Sequence, residues 1–472
     1  MARRFMLSVG WLTLARASLA ISQVVALPLF ARLLEVEDFA LMAIAMTVVI
    51  FTNILSDAGL GRSLIRSTGY DVEEWSSVFW FLAAFGLGLA AVVTAMAPLL
   101  AWVYGRDALF GMVAILATVP LLNAISAVPS AELERRERFG AIARVQMAAT
   151  LGALTLAIAM AFLDYGVWAL VAQQVAIAVI TLVGLTALSR FRPGMGFARH
   201  HLREHLRFGT DTVAVSFLYT VQRQLPVLAM GRVLGETPLG LYAMNERVMR
   251  LPSFGIAGPV GRVVYIRMAR AKDDPQKLAD LYAAATRLLA LIVIPPMAML
   301  AVSAEASFAV ALSDKWRDIG LIFALTAPAV AVETAVSGMG NLFMATGQTG
   351  LRVRMAAERA LIALAMVLAA IPFGIAAVAF ARSAFTVGYL ARFWGWGRRC
   401  APLDLRALTL GLLVPTAVTA PFALAHWILS GAYGLSDLQQ LGLAMVGALV
   451  ATAAALLCCR RTVKADLRAF RG

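Results

Sequence analysis

The chain is made of long apolar runs separated by short polar connections. A helix needs roughly 20 apolar residues to cross about 30 Å of hydrocarbon, so each run can be measured against that length. The comparison predicts about fourteen transmembrane helices, at residues 5–30, 39–56, 78–103, 109–128, 145–163, 166–188, 210–230, 239–265, 281–302, 319–344, 355–371, 375–393, 408–429 and 438–458. The predicted fold class is therefore an all-α integral membrane protein.

Two boundaries in this assignment depend on short sequence features. The segment Ile371-Pro372-Phe373-Gly374 separates spans 11 and 12, and a coarser assignment would merge these two spans. At the amino terminus, Arg3 and Arg4 precede an apolar run, as they would in a cleavable signal peptide. Arg16 interrupts this run, which then continues to Phe30. We therefore expect a transmembrane helix there rather than a signal peptide.

The composition agrees with a lipid environment. Hydrophobic residues make up 61% of the chain and charged residues 14%, and a soluble fold has too little interior to bury so much apolar surface. An ordinary soluble enzyme is therefore excluded. The longest connection, residues 189–209, is too short for a folded extramembrane domain, and no soluble basic module for nucleic acid is present. The three cysteines cannot form a disulfide framework.

The basic residues are distributed unevenly between the two sides of the membrane. Lysine and arginine total 41 against 27 acidic residues. Counted by alternate connections, 27 basic residues lie on the side of the amino terminus and 5 on the other. The five are Arg32, Arg106, Arg232, Lys315 and Arg317. Because basic loops stay in the cytoplasm, both termini are predicted to be cytoplasmic, and the basic side is expected to favour anionic lipid headgroups.

An internal repeat with an offset of 200 residues links the loops at 31–43 and 231–243. The identical pairs are Arg32/Arg232, Leu34/Leu234, Leu41/Leu241 and Ala43/Ala243. Six spans separate the two loops, so the halves would have the same orientation and form a parallel repeat with a substrate path between them. The predicted domains are an N-terminal lobe at 1–189, a basic cytoplasmic linker at 190–209, a C-terminal lobe at 210–400, and two extra helices with a basic tail at 401–472.

Several arginines lie within or at the ends of predicted spans. The deepest are Arg16, Arg223, Arg247 and Arg250. They lie roughly 12–20 Å from the starts of their spans at 1.5 Å per residue, where an arginine costs about 2.5–3.5 kcal/mol. We predict that they line a cavity and bind substrate. Arg359 lies near a span end and is expected to reach water by snorkelling, whereas Arg382 lies within span 12 without an assigned role.

Other polar residues lie on the same spans or in the second half of the chain. Further substrate-binding candidates are Gln23, Asn53, Tyr219 and Asn245. Candidates for binding a coupling ion, H+ or Na+, or for gating are Asp57, Glu246 and Glu333. An alternative for Glu246 is an i, i+4 salt bridge with Arg250 that only holds helices together.

Residue patterns for catalysis are missing from the sequence. It contains no nucleophile with an adjacent base, no paired catalytic carboxylates and no phosphate-binding loop, and a metal site is not indicated. We therefore expect neither an enzyme nor a resident cofactor or metal.

Several short strings together resemble the polysaccharide transporter family of oligosaccharide-lipid flippases, within the multidrug/oligosaccharidyl-lipid/polysaccharide exporter superfamily. The strings are ARLL at 31–34, DF at 38–39, SDAGLG at 56–61, YGVWALVAQQ at 165–174, GRVLG at 231–235, Gly240-Leu241-Tyr242, PVGRV at 259–263 and LSDKW at 312–316. Ala40 and Ser313 stand where the family usually has glycine. Both departures lie in turns at helix starts, away from the predicted cavity.

This resemblance implies two six-helix lobes arranged in a V, plus two extra helices. It also implies transfer of a polyprenyl-diphosphate-linked oligosaccharide repeat unit to the outer leaflet of a bacterial inner membrane, for exopolysaccharide, capsule or O-antigen assembly. Polysaccharide polymerase and export machinery would then be partners. Arginine suits a diphosphate because its guanidinium can bind phosphate oxygens bidentately. The alternatives are a multidrug exporter of the same superfamily and an integral-membrane polymerase or ligase.

Overall fold

The computed structural model describes residues 25–57, 60–66, 70–198, 217 and 220–470, and within these ranges it contains helices and no strands. The predicted all-α fold class is confirmed. Contacts divide the chain into two compact units, the first ending at Gly240 and the second beginning at Leu241. The first unit includes helical residues that the repeat assigns to the C-terminal lobe, and the predicted lobe boundaries stay a prediction.

Nine helices are described in the first unit. They are α1 at 25–33, α2 Val36–Asp57, α3 Leu60–Arg66, α4 Val72–Tyr104, α5 Ala108–Leu116, α6 Thr118–Arg135, α7 Phe139–Phe162, α8 Val167–Leu188 and α9 at 220–233. The ends of α4 follow from its flanking residues. Asp71 caps the first turn by accepting a hydrogen bond from the Glu73 N–H at 2.9 Å. Gly105 ends the helix in the left-handed region, at φ +65°.

Helices α7 and α8 pack closely because their facing residues are small. The buried alanines of α7 that repeat every four residues are Ala149, Ala153, Ala157 and Ala161. A Cβ atom on Gly184 of α8 would lie only 2.8 Å from Val145 Cγ1 of α7. Small residues at an interface let two membrane helices approach closely, which increases their van der Waals contact.

Twelve helices continue the chain, and α10 contains the boundary between the units. They are α10 Glu236–Met249, α11 Gly258–Arg270, α12 Pro275–Val302, α13 Ala304–Ala311, α14 Ile319–Ala335, α15 Met339–Ala345, α16 Thr349–Ala370, α17 Ile375–Gly388, α18 Leu390–Gly397, α19 Leu405–Tyr433, α20 Asp437–Cys458 and α21 Arg460–Ala469. Among the helices of the second unit, α12 and α14 have the largest numbers of buried side chains. Its large buried side chains include Tyr282, Trp316, Phe323 and Phe343.

Ten helical stretches of the described residues are long and apolar enough to cross a membrane: 36–53, 72–104, 108–135, 139–162, 167–188, 275–302, 319–345, 349–373, 405–433 and 437–458. They correspond to ten of the predicted spans, so the chain is a multi-pass membrane protein. Of the other four, the predicted spans at 5–30 and 210–230 lie partly outside the described residues, and those at 239–265 and 375–393 are interrupted. The total of fourteen stays a prediction.

The predicted span at 239–265 differs most from the observed helices. Helix α10 ends at Met249, a π-helical turn covers Ser253–Ala257, and α11 begins at Gly258. Pro252 explains the break, because proline cannot donate the backbone hydrogen bond of a continuous helix and its ring clashes with the preceding turn. The apolar character of the segment thus predicted a helix here but not its continuity, and its position in the membrane stays a prediction.

The predicted turn between spans 11 and 12 is confirmed. Helix α16 ends at Ala370, Ile371–Phe373 form one 3-10 turn, and α17 begins at Ile375. Gly374 has φ +94°, a conformation that side chains rarely tolerate. Glycine at this position lets the chain leave one helix and start the next within four residues.

Helix α14 contains Pro328, which cannot donate a hydrogen bond within the helix. Ser383 of α17 restores the bonding beside it: its Oγ donates to the Leu325 carbonyl at 2.6 Å and accepts from the Ala329 N–H at 3.2 Å. The hydroxyl is therefore inserted between two backbone groups that would bond each other in an unbroken helix. This contact joins α14 to α17 next to the charged residues described below.

Candidate functional site

Some of the predicted site residues lie outside the described part of the chain. These are Arg16, Gln23 and Tyr219, together with the side chain of Asp57, which is the last residue of α2. The described candidates are Asn53 and Arg223 in the first unit and Asn245, Glu246, Arg247, Arg250 and Glu333 in the second.

Helices α2 and α9, which carry the candidates of the first unit, are antiparallel. The Thr47 hydroxyl of α2 donates to Gln224 Oε1 of α9 at 3.1 Å. Further along α2, the ring of Phe51 lies 5.6 Å from that of Phe217. Contacts thus run forward along α2 and backward from Gln224 in α9 to Phe217 before it, as the predicted topology requires for spans 2 and 7. The side chain of Arg223, the neighbour of Gln224, is exposed.

Asn53 takes part in a contact between α2 and α6. Its Oδ1 accepts a hydrogen bond from Asn123 Nδ2 at 3.0 Å, and the pair is only partly buried. This hydrogen bond joins the two helices through the amides of Asn53 and Asn123. An amide can form further hydrogen bonds through its remaining donor and acceptor atoms. The predicted role of Asn53 in binding sugar hydroxyls stays a prediction.

The two loops related by the repeat touch each other in the first unit. Thr237 Oγ1 donates to Glu37 Oε1 at 2.6 Å, and these residues are 200 positions apart. On the next turn of α10, a Cβ on Gly240 would overlap the Val36 carbonyl oxygen. Equivalent positions of a two-fold arrangement meet only near its axis. The contact between Glu37 and Thr237 is compatible with a parallel repeat, which stays a prediction.

A polar pocket of about 410 Å³ lies beside these loops. Its lining residues are Glu37, Tyr104, Arg106, Gly231, Arg232, Gly235, Glu236 and Thr237. Arg106 binds Glu236 bidentately, with N···O distances of 2.5 and 2.8 Å. This hydrogen bonding raises the pKa of the exposed Arg106 guanidinium above its usual value. The Tyr104 hydroxyl donates to the Leu228 carbonyl at 2.8 Å, so hydrogen bonds tie the start of α10 and the end of α9 to α4 and its C-terminal loop.

Four charged side chains form a continuous chain across the second unit. Arg382 of α17 bonds Glu246 of α10, and its other terminal nitrogen lies 3.7 Å from Glu333 of α14. Glu333 also bonds Arg359 of α16, and the Thr386 hydroxyl lies 3.5 Å from the same carboxylate. The four charges balance. We call Glu246, Arg382, Glu333 and Arg359 the charge chain.

The remaining candidates lie on α10 or directly after it. Asn245 is fully buried, and its Nδ2 donates to Thr326 Oγ1 of α14 at 3.1 Å, whereas its Oδ1 is buried without a hydrogen-bond partner among the described residues. Asn245 therefore bonds a neighbouring helix in this structure. Arg247 is half-buried and Arg250 is exposed. Their predicted roles in substrate binding stay predictions.

The structure gives Arg359 a protein partner that the sequence did not indicate. The sequence placed this arginine near a span end, but α16 begins at Thr349, six residues before the predicted start. Arg359 is thus ten residues into the helix, about 15 Å from its start, where it bonds Glu333. Arg382 and its contact with Glu246 were missed because the partners are 136 residues apart. The available signal was an arginine in the middle of an apolar span.

Comparison with known proteins assigns the family. A family model described as "Polysaccharide biosynthesis protein" matches residues 29–320. The succinoglycan biosynthesis transport protein ExoT of Rhizobium meliloti is 26% identical over 342 residues, which cover 72% of this chain and 69% of ExoT. The lipopolysaccharide biosynthesis protein WzxC of Escherichia coli is 23% identical over 341 residues, covering 71% and 68% of the two chains.

A solved structure supports the fold. The inward closed conformation of lipid II flippase MurJ matches with a TM-score of 0.74 at 13% identity, covering 97% of this chain and 100% of MurJ. This likeness concerns the all-α membrane fold alone. The family match confirms the resemblance that the sequence strings indicate. Because the family model covers more than half of the chain, the protein belongs to the polysaccharide biosynthesis protein family that this model describes.

Proposed function

We propose that the protein is a flippase for polyprenyl-diphosphate-linked oligosaccharide repeat units. It moves the cargo from the cytoplasmic to the outer leaflet of the bacterial inner membrane by alternating access, with both of its own termini in the cytoplasm. The names of two relatives support this proposal, since one is a succinoglycan transport protein and the other a lipopolysaccharide biosynthesis protein. One of these names states transport, and both state the biosynthesis of a sugar-containing polymer.

The observation that carries the proposal is the position of Arg223. Its exposed side chain lies ten residues before the end of α9, about 15 Å along the helix. A charged side chain at that depth is expensive in lipid and almost always faces polar surroundings with a function. A guanidinium there can bind a diphosphate bidentately. We assign the diphosphate to Arg223 together with Arg16, Arg247 and Arg250, and the sugar hydroxyls to Gln23, Asn53, Tyr219 and Asn245.

The acidic residues favour an anionic cargo over an organic cation. A multidrug exporter needs carboxylates that can accept a cationic drug, whereas both acids of the charge chain are bonded to arginines: Glu246 to Arg382, and Glu333 to Arg359. We assign gating, and coupling to H+ or Na+, to these two glutamates and to Asp57. No proposed step requires a cofactor.

The test is a deletion strain complemented with Arg223→Ala, Arg223→Lys or Arg144→Ala. Arg144 is an exposed arginine in the first turns of α7 and serves as the matched control. We expect the alanine variant at position 223 to leave lipid-linked oligosaccharide on the cytoplasmic leaflet at normal protein abundance. Lysine should restore export only partly because it lacks the planar guanidinium. Full export by Arg223→Ala would contradict the assignment, and low abundance would show that Arg223 holds helices together.

A further inference from the structure

The charge chain lies at mid-depth in the membrane. Counted from the helix ends that the predicted topology places outside, Arg382 is about 10 Å along α17, Glu246 about 15 Å along α10 and Glu333 about 21 Å along α14, at 1.5 Å per residue. The side chains of the pair Arg382 and Glu246 are both 22% exposed, and that of Glu333 is 32% exposed. Partly exposed charges at this depth do not face hydrocarbon. The chain is therefore open to a polar space on one side.

Arg382 lies between two carboxylates, and neither forms a bidentate pair of hydrogen bonds with its guanidinium. One terminal nitrogen bonds a single oxygen of Glu246, and the other stands 3.7 Å from Glu333, beyond ordinary hydrogen-bond length. A guanidinium offers five donors in a planar fork. Its preferred anions are planar carboxylates or phosphates held by two parallel hydrogen bonds. The present geometry leaves that preference unsatisfied.

We propose that Arg382, in addition to the arginines assigned above, binds the diphosphate of the cargo, and that Glu246 and Glu333 hold this site until the cargo displaces them. The proposal rests on the flippase function given above. A diphosphate carries more negative charge than one carboxylate and can occupy both edges of the guanidinium. Thr386 lies one helical turn from Arg382 and donates to Glu333 at 3.5 Å, so its hydroxyl can bond a phosphate oxygen instead. Sequence reasoning had placed no cargo contact on α17.

Displacement also links cargo binding to helix movement. In this structure Arg382 connects α17 to α10 through Glu246 and to α14 through Glu333. When the diphosphate takes the guanidinium, both ion pairs open, and α10 is no longer held to α17 by this contact, whereas Ser383 still joins α17 to α14. A ligand shifts a conformational equilibrium only through different affinities for the two states. The two glutamates supply that difference in affinity, because they compete with the cargo for Arg382 only in the conformation in which they contact it.

The experiment uses the purified full-length protein in lipid nanodiscs with farnesyl diphosphate as the probe. Calorimetry should show about tenfold tighter binding by Glu246→Gln, which removes a competitor and keeps the size of the side chain. Arg382→Gln should bind at least about tenfold more weakly. Glu358→Gln is the matched control, because Glu358 also bonds an arginine, Arg392, at 2.8 and 2.9 Å. Its affinity should equal that of the wild-type protein.

A second measurement uses the wild-type protein and so does not depend on the folding of a variant. Labelling of Glu246 by a hydrophobic carbodiimide, followed by mass spectrometry, should increase when farnesyl diphosphate is added, because the carboxylate is released from Arg382. Unchanged labelling, or equal affinities for all variants, would overturn the role of Arg382 while the flippase function stands. If the wild-type protein does not bind farnesyl diphosphate, both proposals fail.

Discussion

Replacing Gly240 with alanine should destabilise the first unit, although alanine is the better helix former. Gly240 lies in the first half of α10, where a Cβ would overlap the Val36 carbonyl oxygen and lie 2.7 Å from Val36 Cγ1. Ordinary contacts begin near 3.4 Å, so α10 and α2 would have to separate by roughly 1 Å to admit the methyl group. Val36 is itself buried, with 6% of its surface exposed.

The size of the effect follows from two opposing contributions. Overpacking a tight contact costs about 1–3 kcal/mol, and the obstacle here is a backbone oxygen that cannot rotate away, so the upper end applies. Alanine recovers about 0.5–1 kcal/mol of helix propensity relative to glycine. The difference leaves a loss of about 2 kcal/mol. For a unit of 240 residues this corresponds to a Tm lower by about 4–8 °C.

The assay is thermal unfolding of the purified protein, followed by tryptophan fluorescence. Gly442→Ala is the matched control, because Gly442 lies inside α20 and a Cβ there meets nothing within 4 Å. We expect that variant to melt at or slightly above the wild-type temperature. If Gly240→Ala also melts at or above the wild-type temperature, the close approach of α10 to α2, and with it the contact between the repeat-related loops, is wrong.

The membrane spans could be predicted because length and hydropathy determine them locally. Each apolar run reaches the length that a bilayer requires, and the short Ile371–Phe373 turn carries its own signals in Pro372 and Gly374. The break after Met249 was missed even though Pro252 is present, because proline is tolerated in many membrane helices. Only the neighbouring helices decide whether the helix continues through such a residue or stops.

The candidate site could be predicted only in part. The deep arginines and acids of the spans were visible because charge is rare in apolar segments, but their partners were not. The structure gives Glu246 a partner, Arg382, from a distant helix that sequence spacing could not indicate. Such pairs depend on which helices are neighbours. That arrangement results from the packing of the whole unit and leaves no periodic signal in the sequence.

Two further predictions concern packing and topology. Ser383→Ala should lower the stability of the second unit by about 1–3 kcal/mol, because one buried and one partly buried backbone group of α14 lose their partner. Thermal unfolding measures this loss. Thr409→Ala is the control and should change little, because the exposed Thr409 hydroxyl bonds its own helix. Equal melting temperatures of the two variants would contradict the role given to Ser383. Reporter fusions after Gly472 should report the cytoplasm and those after Asp164 the outside, because basic loops stay in the cytoplasm; the reverse result at either point would reject the predicted orientation.

The central claim, that this protein moves lipid-linked oligosaccharide between leaflets, is tested most directly by reconstitution. The purified protein is placed in liposomes that carry polyprenyl-diphosphate-linked oligosaccharide in both leaflets, and a membrane-impermeant glycosidase measures the accessible fraction. In protein-free vesicles only cargo of the outer leaflet should be cleaved. With the wild-type protein the cargo of the inner leaflet should become accessible as well, and with Arg223→Ala it should stay protected. Protection that persists with the wild-type protein would contradict the account.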